Sequence, residues 1–247
     1  MYQQQRIKKI LDILREHGYV TVKFLTQELH YSNATINRDL NVLQAQKLIK
    51  RSYGGVELMK KSGTSLIFRY NKMRPAKNKI AKKASQYICD GDTIFIDGST
   101  TSQYLGKYIT NHKNLKVITN NIALVSYLSE HGINVICLGG RVMEAPNMLG
   151  GDDTAENAMK YHADKAFFSV GSVLDDGRIG GGDSYHLLNL TMQKNSNESF
   201  CLADSAKINV TCSRFLGDLS LVDCFISDYC FSDEIKKKYN HTKFIEV

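Results

Sequence analysis

The sequence predicts a two-domain α/β protein, in which a small domain of helices and a β-hairpin precedes a larger domain built on a mostly parallel sheet. Amphipathic helical patterns and a short hairpin pattern occupy residues 1–58. From residue 77 onward, short apolar strands alternate with glycine-containing loops and helices, which is typical of a parallel sheet covered on both faces. We therefore expect domains over 1–58 and 77–247, joined by a polar linker over 59–76.

Three helices are expected in the first domain. The apolar stripe of the first helix, which ends near Gly18, comprises Ile7, Ile10, Leu11 and Leu14. Thr21 is a suitable N-cap for a second helix, and Ser32 is a suitable N-cap for a third. The short connection between the second and third helices is typical of a helix-turn-helix.

The third helix has one apolar face and one polar face. Ile36, Leu40 and Leu43 recur at helical spacing and form a buried stripe. The side chains expected to face outward are Asn33, Thr35, Asn37, Arg38 and Asn41. Each of them can hydrogen-bond a base edge or a phosphate. For an isolated helix, a merely solvated polar face is the alternative interpretation.

A basic hairpin follows this helix. Two strand-like runs flank the Gly54-Gly55 turn, and Lys47, Lys50 and Arg51 make the first run basic. Three helices and such a wing predict a winged helix-turn-helix that binds DNA, with a protein-interaction module of the same shape as the alternative. The residues expected to contact DNA are Ser32, Asn33, Thr35, Asn37, Arg38, Lys50, Arg51 and Tyr53.

Positive charge is concentrated at one end of the chain. Residues 1–83 contain 18 of the 32 Lys and Arg but only 5 of the 25 Asp and Glu. Such a cationic end suits a polyanion, and we expect double-stranded operator DNA as the partner. No long apolar run and no signal peptide are apparent, so we expect a cytoplasmic protein that does not bind membranes. The six cysteines lack a C-x-x-C motif and the histidines are scattered, which predicts buried free thiols, no metal site and no cofactor.

In the second domain, polar residues follow several predicted strands. The strands are expected over 93–96, 116–119, 135–138, 166–170, 199–203 and 224–227. Ligands of such sheets bind beyond the carboxyl ends of the strands, where small residues, hydroxyls and lysines suit a phosphate. An Asp-Gly-Ser run is also ordinary turn chemistry. The residues expected to bind a phosphorylated effector are Lys77, Asp97, Gly98, Ser99, Thr100, Thr101, Asn120, Gly139, Gly140, Asp204 and Lys207.

The order of these short motifs along nearly the whole chain resembles that of DeoR-type transcriptional regulators. The carrying segments are Ser32-x-x-Thr35-Ile36-x-Arg38-Asp39-Leu40, Tyr53-Gly54-Gly55-Val56, Asp97-Gly98-Ser99-Thr100-Thr101, Val117-Ile118-Thr119-Asn120, Leu138-Gly139-Gly140, Asp204-x-x-Lys207 and Ile226-Ser227-Asp228. The resemblance implies a repressor of a carbohydrate operon. It also implies a sensor domain similar to ribose-5-phosphate isomerase, in which a phosphorylated sugar weakens operator binding. Because one winged helix covers few base pairs, we expect a homo-oligomer.

The chain departs from the family pattern in two places. Asn37 stands where the first of two recognition-helix arginines is usual. Tyr185, Asn189 and Leu190 stand where an acidic residue and a Lys-Arg pair usually precede the methionine that Met192 matches.

The alternative function is a sugar-phosphate isomerase-like enzyme with an appended DNA-binding domain. Isomerisation needs a base, normally a carboxylate, to move a proton between adjacent carbons. Where the isomerase pattern has two aspartates this chain has Val170 and Val173, and where it has Glu-Lys the chain has Leu188 and Asn189. The sequence therefore favours a sensor that binds its ligand without turnover.

Overall fold

The computed structural model of the chain describes residues 3–46, 48–52, 55–58, 66–143, 148–181 and 186–247. These residues form two compact units, Met1–Lys72 and Met73–Val247. The division between the units falls inside the segment 59–76 that the sequence predicts as a linker. Within the described ranges, no helix combines the length and the apolar character needed to cross a membrane.

The first unit has the winged helix-turn-helix arrangement that the sequence predicts. In chain order its first six elements are α1 (Gln3–His17), β1 (Tyr19–Thr21), α2 (Val22–Leu29), α3 (Asn33–Ala45), β2 (Ile49–Ser52) and β3 (Gly55–Leu58). Thr21 caps α2 by accepting a hydrogen bond from the Phe24 amide at 3.0 Å. The three strands form an antiparallel sheet in the order β1-β3-β2. The tip of the hairpin, which contains Tyr53, lies outside the described residues.

The core of this unit lies between the helices and the sheet. The apolar stripe of α3 is fully buried, as predicted, and packs with Ile10 and Leu14 of α1 and with Leu25 of α2. Ile49 and Val56 close the core from the sheet side. Because the inner face of α3 is occupied by this core, its polar face is left at the surface.

The expected linker contains more regular structure than the sequence analysis predicted. α4 (Leu66–Asn71) lies inside it, and α5 (Arg74–Ser85) begins at Arg74 instead of Lys77. Pro75 occupies the first turn of α5, where its missing N–H has no helical partner to lose. The proline therefore lies at the start of a helix, inside the segment that the sequence predicts as a linker. Residues 59–65 lie outside the described ranges.

The second unit is an α/β domain. Its strands are β4 (Thr93–Ile96), β5 (Lys116–Thr119), β6 (Asn134–Cys137), β7 (Arg141–Val142), β8 (Leu149–Gly150), β9 (Ala163–Phe168), β10 (Ser172–Val173), β11 (Arg178–Gly181), β12 (Ser196–Ala203), β13 (Arg214–Asp218), β14 (Cys224–Ser227) and β15 (Lys243–Glu246). Besides α5, its helices are α6 (Gly106–Ile109), α7 (Ile122–Glu130), α8 (Asp152–Ala158), α9 (His186–Lys194) and α10 (Asp233–Lys238).

A seven-stranded sheet forms the centre of this unit. Its strand order is β15-β14-β12-β9-β4-β5-β6, and every neighbouring pair is parallel. This confirms the mostly parallel α/β fold predicted from the sequence. Since all seven strands run the same way, the residues that follow them meet at one edge of the sheet.

Several smaller elements were not predicted. They are β15, the antiparallel sheet β10-β11-β13 and the two-stranded β7-β8 pair. The strands of the smaller sheets are short, and all except β10 contain glycine or charged residues, so their hydrophobic pattern is weak.

The prediction of buried thiols is correct for two cysteines and wrong for three. Cys201 and Cys224 are buried in the sheet, and burial raises the pKa of each thiol to about 12. Cys89, Cys137 and Cys230 are exposed. Cys137 lies in an apolar run, but that run forms the edge strand β6, and the other two residues lie in loops.

Candidate functional site

The outward face of α3 begins with a capped turn. The Ser32 hydroxyl accepts a hydrogen bond from the Thr35 amide at 3.2 Å, and the two side-chain hydroxyls lie 3.0 Å apart. This pairing fixes the first turn of the helix, which is the part that approaches base edges in many helix-turn-helix proteins. Asn33 and Arg38 are both exposed.

A buried ion pair holds α3 against α1. Asp39 is fully buried and accepts hydrogen bonds from the Arg6 guanidinium, one of them from Nη2 at 2.9 Å. Gln3 Nε2 donates to the same carboxylate at 3.1 Å, and the Arg6 guanidinium lies over the Tyr31 ring. The sequence analysis assigned no role to Arg6 or Asp39, since the partners are 33 residues apart and no local pattern joins them.

Arg51 of the wing contacts α3 directly. Its Nη1 donates to Asn41 Oδ1 at 2.7 Å, and its Nη2 donates to Asn37 Oδ1. Asn37 Nδ2 in turn donates to the backbone oxygen of Asn33 at 2.8 Å and to its Oδ1 at 2.6 Å. Four of the predicted DNA-facing side chains thus form one hydrogen-bonded cluster across α3 and β2.

Lys50 is exposed on β2, where the register sets it opposite Glu57 of β3. Side chains alternate between the two faces of a strand, so Lys50 and Arg51 point in opposite directions. Ile49, on the same face as Arg51, lies in the domain core, which explains why Arg51 reaches α3. The two basic residues of the wing therefore occupy different environments.

The second group of predicted residues lies at the carboxyl edge of the large sheet. Asp97 follows β4, Asn120 follows β5, and Asp204 follows β12. The register pairs Ile96 with Thr119, which sets Asp97 and Asn120 next to each other. Asp97, Asn120 and Asp204 are all at least nine-tenths buried, although each is polar.

Two lysines from distant parts of the chain donate to the loop that follows β4. Lys77 of α5 is buried, and its Nζ lies 3.0 Å from Thr100 Oγ1. Lys207 Nζ donates to Thr101 Oγ1 at 3.1 Å and also to Ser169 Oγ. The structure thus brings Lys77, Lys207 and the predicted hydroxyl loop together.

The loop itself is fixed by its own hydrogen bonds. Ser99 Oγ accepts from the Ser102 amide and donates to Ser102 Oγ, both at 3.0 Å. The segment that follows is a short 3₁₀ turn, Ser102–Leu105, that leads into the four-residue α6. The lysines and hydroxyls are therefore the main groups available to an anion here, because the helix dipole of so short an element is small.

Acceptor oxygens without a hydrogen-bond partner among the described residues complete this edge. They are Asp97 Oδ1, Asn120 Oδ1 and Asp204 Oδ2. The other oxygen of Asp97 accepts from the Ser169 amide at 3.2 Å. Burial raises the pKa of Asp97, and the hydrogen bond from the Ser169 amide and the charge of Lys207 oppose that effect in part. A ligand that donates hydrogen bonds would satisfy these buried acceptors.

The predicted glycines have packing roles. Gly139 and Gly140 have positive φ angles of 70° and 112°, and a Cβ on Gly140 would lie 1.9 Å from Thr154 Oγ1. That hydroxyl donates to the Gly139 carbonyl at 2.8 Å. A Cβ on Gly98 would lie 2.2 Å from Met148 Sδ. These residues shape the loops around the site, and Asn120 does so as well by donating to the Leu149 carbonyl at 2.7 Å.

Ser169 was missed by the sequence analysis. It follows β9, which ends at Phe168 and not at Val170 as predicted. Ser169 accepts from Lys207, its hydroxyl donates to the Leu202 carbonyl, and its own carbonyl accepts from Asn189 Nδ2 at 3.1 Å. A correct strand end would have placed this serine at the same edge as Asp97 and Asp204.

The positions at which an isomerase would carry its proton-transfer groups are apolar or amide. Val170 and Val173 are buried, and Val173 packs in an apolar cluster with Phe168 and Ile179. Leu188 is buried, and the side-chain amide of Asn189 donates a hydrogen bond to the Ser169 carbonyl. Neither valine can accept a proton.

Comparison with protein families decides the identity of both units. Residues 6–62 match the DeoR-like helix-turn-helix domain, and residues 72–229 match the DeoR C terminal sensor domain. The chain belongs to the DeoR family of transcriptional regulators. The resemblance drawn from the sequence motifs is thereby confirmed.

Similar DeoR-family proteins include named repressors. The chain is 32% identical over 231 residues to the HTH-type transcriptional repressor GlcR of Bacillus subtilis, covering 92% of this chain and 89% of that protein. It is 29% identical over 232 residues to the glycerol-3-phosphate regulon repressor of Escherichia coli, covering 92% of each. It is 32% identical over 215 residues to the lactose phosphotransferase system repressor of Lactococcus lactis, covering 85% of this chain and 84% of that protein.

Two solved structures illustrate the folds to which this DeoR-family chain is similar. Ribose 5-phosphate isomerase A from Methanocaldococcus jannaschii has a TM-score of 0.41 and 19% identity, covering 55% of this chain and 54% of that one. The eIF2B beta protein from Chaetomium thermophilum has a TM-score of 0.47 and 15% identity, covering 63% of this chain and 49% of that one. The chain thus spans about half the length of each of these proteins.

Proposed function

We propose that this DeoR-family protein represses a carbohydrate operon and leaves its operator when a phosphorylated sugar binds at the carboxyl edge of the sensor sheet. The observation that carries the proposal is the convergence of two lysines on one hydroxyl loop. Lys77 donates a hydrogen bond to the Thr100 hydroxyl, and Lys207 donates one to the Thr101 hydroxyl. A phosphate dianion that leaves water needs both positive charge and several donors, and this arrangement supplies both.

The neighbouring acceptors suit the rest of such a ligand. Asp97, Asn120 and Asp204 each offer a buried oxygen with no partner among the described residues. Sugar hydroxyls donate hydrogen bonds, whereas a bare phosphate dianion would be repelled by the carboxylates. The combination of lysines on one side and acceptors on the other therefore favours a phosphorylated polyol or sugar over inorganic phosphate.

The names of the relatives agree with this chemistry. The proteins of Escherichia coli and Lactococcus lactis are named for the glycerol-3-phosphate regulon and the lactose phosphotransferase system. These names place phosphorylated carbohydrate metabolism among the processes that similar proteins control. They support the same class of effector for this chain.

In this proposal the first unit binds the operator through α3 and the wing. Thr35 and Arg38 approach base edges, Ser32 and Asn33 lie at the start of the same face, and Lys50 holds a phosphate. Tyr53 is proposed as a phosphate contact from its place in the sequence. Because one such domain covers few base pairs, two copies of the chain bind a repeated site.

Turnover of the ligand is not part of this proposal. The valines at positions 170 and 173 and the engaged Asn189 amide leave no carboxylate where the isomerase pattern has its proton-transfer groups. This supports a site that binds without catalysis.

A thermal-shift screen of the full-length protein tests the effector assignment. Phosphorylated sugars are compared with the same sugars without phosphate and with inorganic phosphate. A true effector at 100 times its dissociation constant should stabilise the protein by about 2.7 kcal/mol, while the matched free sugar should have little effect. Equal shifts by a sugar and its phosphate would contradict the proposal, and conversion of the sugar phosphate to its isomer would support the enzyme alternative.

A further inference from the structure

The polar face of α3 contains an asparagine whose hydrogen-bonding groups are already used. Asn37 Nδ2 donates to Asn33, and its Oδ1 accepts from Arg51. An asparagine reads adenine by using its amide nitrogen and oxygen together, so these contacts compete with such a role. Asn37 is therefore better placed to hold another side chain than to read a base.

The side chain that it holds is an arginine from the wing. Arg51 Nη1 and Nη2 donate to the oxygens of Asn41 and Asn37, which are one helical turn apart on α3. A guanidinium has five N–H donors, and these two contacts use two of them. The remaining donors lie on a planar fork of the kind that pairs with O6 and N7 of guanine.

We infer that Arg51 reads a base pair in the major groove, and that Asn37 and Asn41 are positioning residues that hold its guanidinium on the recognition helix. The inference rests on the proposed binding of DNA by α3. It specifies the DNA contact that the sequence predicts for Arg51 as a contact with a base. Two neutral amides orient the guanidinium without neutralising it, so its charge and fork remain available to DNA.

The location of Arg51 distinguishes it from Lys50. Arg51 shares a strand face with the core residue Ile49 and lies against α3, whereas Lys50 is exposed on the opposite face of β2. A guanidinium held against the helix that enters the groove contacts base edges. An exposed lysine on the outer face of the wing contacts the phosphate backbone of the DNA. Lys50→Ala is therefore the matched control for Arg51 variants.

Selection from a randomised duplex library, read by sequencing, tests the inference with the full-length chain. Wild type is compared with Arg51→Ala, Arg51→Lys, Asn37→Ala and Lys50→Ala. Arg51→Ala and Arg51→Lys should both lose preference at the same base pair of each half-site, by roughly 5- to 150-fold. Lys50→Ala should bind more weakly but keep the wild-type preference. Circular dichroism confirms that each variant is folded.

Two further measurements distinguish base recognition by Arg51 from a purely electrostatic contribution of its charge. Arg51→Lys should keep the wild-type salt dependence of binding, because the charge is retained, and still lose preference. Asn37→Ala should broaden the sequence preference at the base pair that the Arg51 variants affect. The double variant Asn37→Ala/Arg51→Ala should broaden this preference no further than Arg51→Ala alone. A wild-type preference in Arg51→Lys, or an Asn37→Ala effect at a different base pair, would overturn the inference. Failure of the wild type to enrich any sequence would overturn DNA recognition by α3 as well.

Discussion

Lys207 Nζ donates a hydrogen bond to Thr101 Oγ1 across 106 positions of the chain. The same ammonium group donates to Ser169, so it joins the loops that follow β4, β9 and β12 at one edge of the sheet. A ligand that draws Lys207 toward itself would therefore act on three strand ends at once. Under the proposed function, this linkage would let the sensor domain respond to the phosphate of its effector.

The buried Arg6–Asp39 pair should be important for the stability of the DNA-binding unit. Asp39→Ala leaves the guanidinium of Arg6 buried without its carboxylate, and we expect a loss of about 3–5 kcal/mol in the free energy of unfolding. Urea denaturation measures this loss. The double variant Arg6→Met/Asp39→Leu serves as the control, since it removes both charges and should recover most of the stability. A double variant as unstable as Asp39→Ala would contradict this account.

Asp97 should make the stability of the sensor unit depend on pH. Its pKa is raised by burial in the folded state, so the neutral carboxyl is favoured there and the stability it confers is present at low pH. That stability is lost as pH rises above the unfolded pKa and through the folded pKa. Asp97→Asn mimics the neutral form, so wild type should lose stability relative to this variant as pH rises. A constant difference in unfolding free energy across the pH range would contradict the prediction.

The local part of the fold could be predicted from the sequence. Ser32 and Thr21 cap helices through contacts with residues three positions away, so their pattern lies within a short window. Six of the seven strands of the large sheet contain apolar runs that are equally visible, whereas β15, which begins and ends with a charged residue, was missed. Ser169 and the Arg6–Asp39 pair were missed because their partners are 38 and 33 residues distant, and only the tertiary fold brings them together.

The candidate site residues divide in the same way, into those that a local sequence pattern indicates and those that only the tertiary fold brings together. The hydroxyl loop 97–101 could be named as a candidate because its residues are adjacent, and Lys207 because it follows a predicted strand. The pairing of Lys77 with Thr100 and of Lys207 with Thr101 could not be assigned, since it depends on the strand order β12-β9-β4-β5. The contact of Arg51 with α3 was missed for a similar reason, because the direction of a strand side chain depends on register.

Arg38 and Lys50 should affect DNA binding in different ways. Arg38→Ala removes an exposed guanidinium from α3, and we expect a loss of about 1–3 kcal/mol on the preferred duplex together with a relaxed sequence preference. Lys50→Ala should weaken all duplexes alike and reduce the salt slope by about one unit. Gel-shift titrations at two salt concentrations measure both effects. Unchanged affinity in both variants would remove α3 and the wing from the DNA interface.

The thiols should react in an order set by burial. Cys89, Cys137 and Cys230 are exposed and should be labelled first by a thiol reagent at pH 8. Cys201 and Cys224 have pKa values of about 12, so almost no thiolate is present and they should react only on unfolding. Mass spectrometry of peptides assigns each label. Rapid labelling of Cys201 in the native protein would contradict the placement of β12 in the interior of the sheet, between β14 and β9.

In the proposed function, Lys207 senses the phosphate of the effector, and this weakens operator binding. The most direct measurement is fluorescence anisotropy of a selected duplex with full-length wild type, Lys207→Ala and Lys116→Ala, with and without the sugar phosphate identified by thermal shift. Lys116 is exposed at the opposite edge of the sheet and is the matched control. We expect wild type and Lys116→Ala to release the duplex when the sugar phosphate is added, and Lys207→Ala to stay bound. Equal release of the duplex by all three proteins would contradict a role for Lys207 in sensing the phosphate.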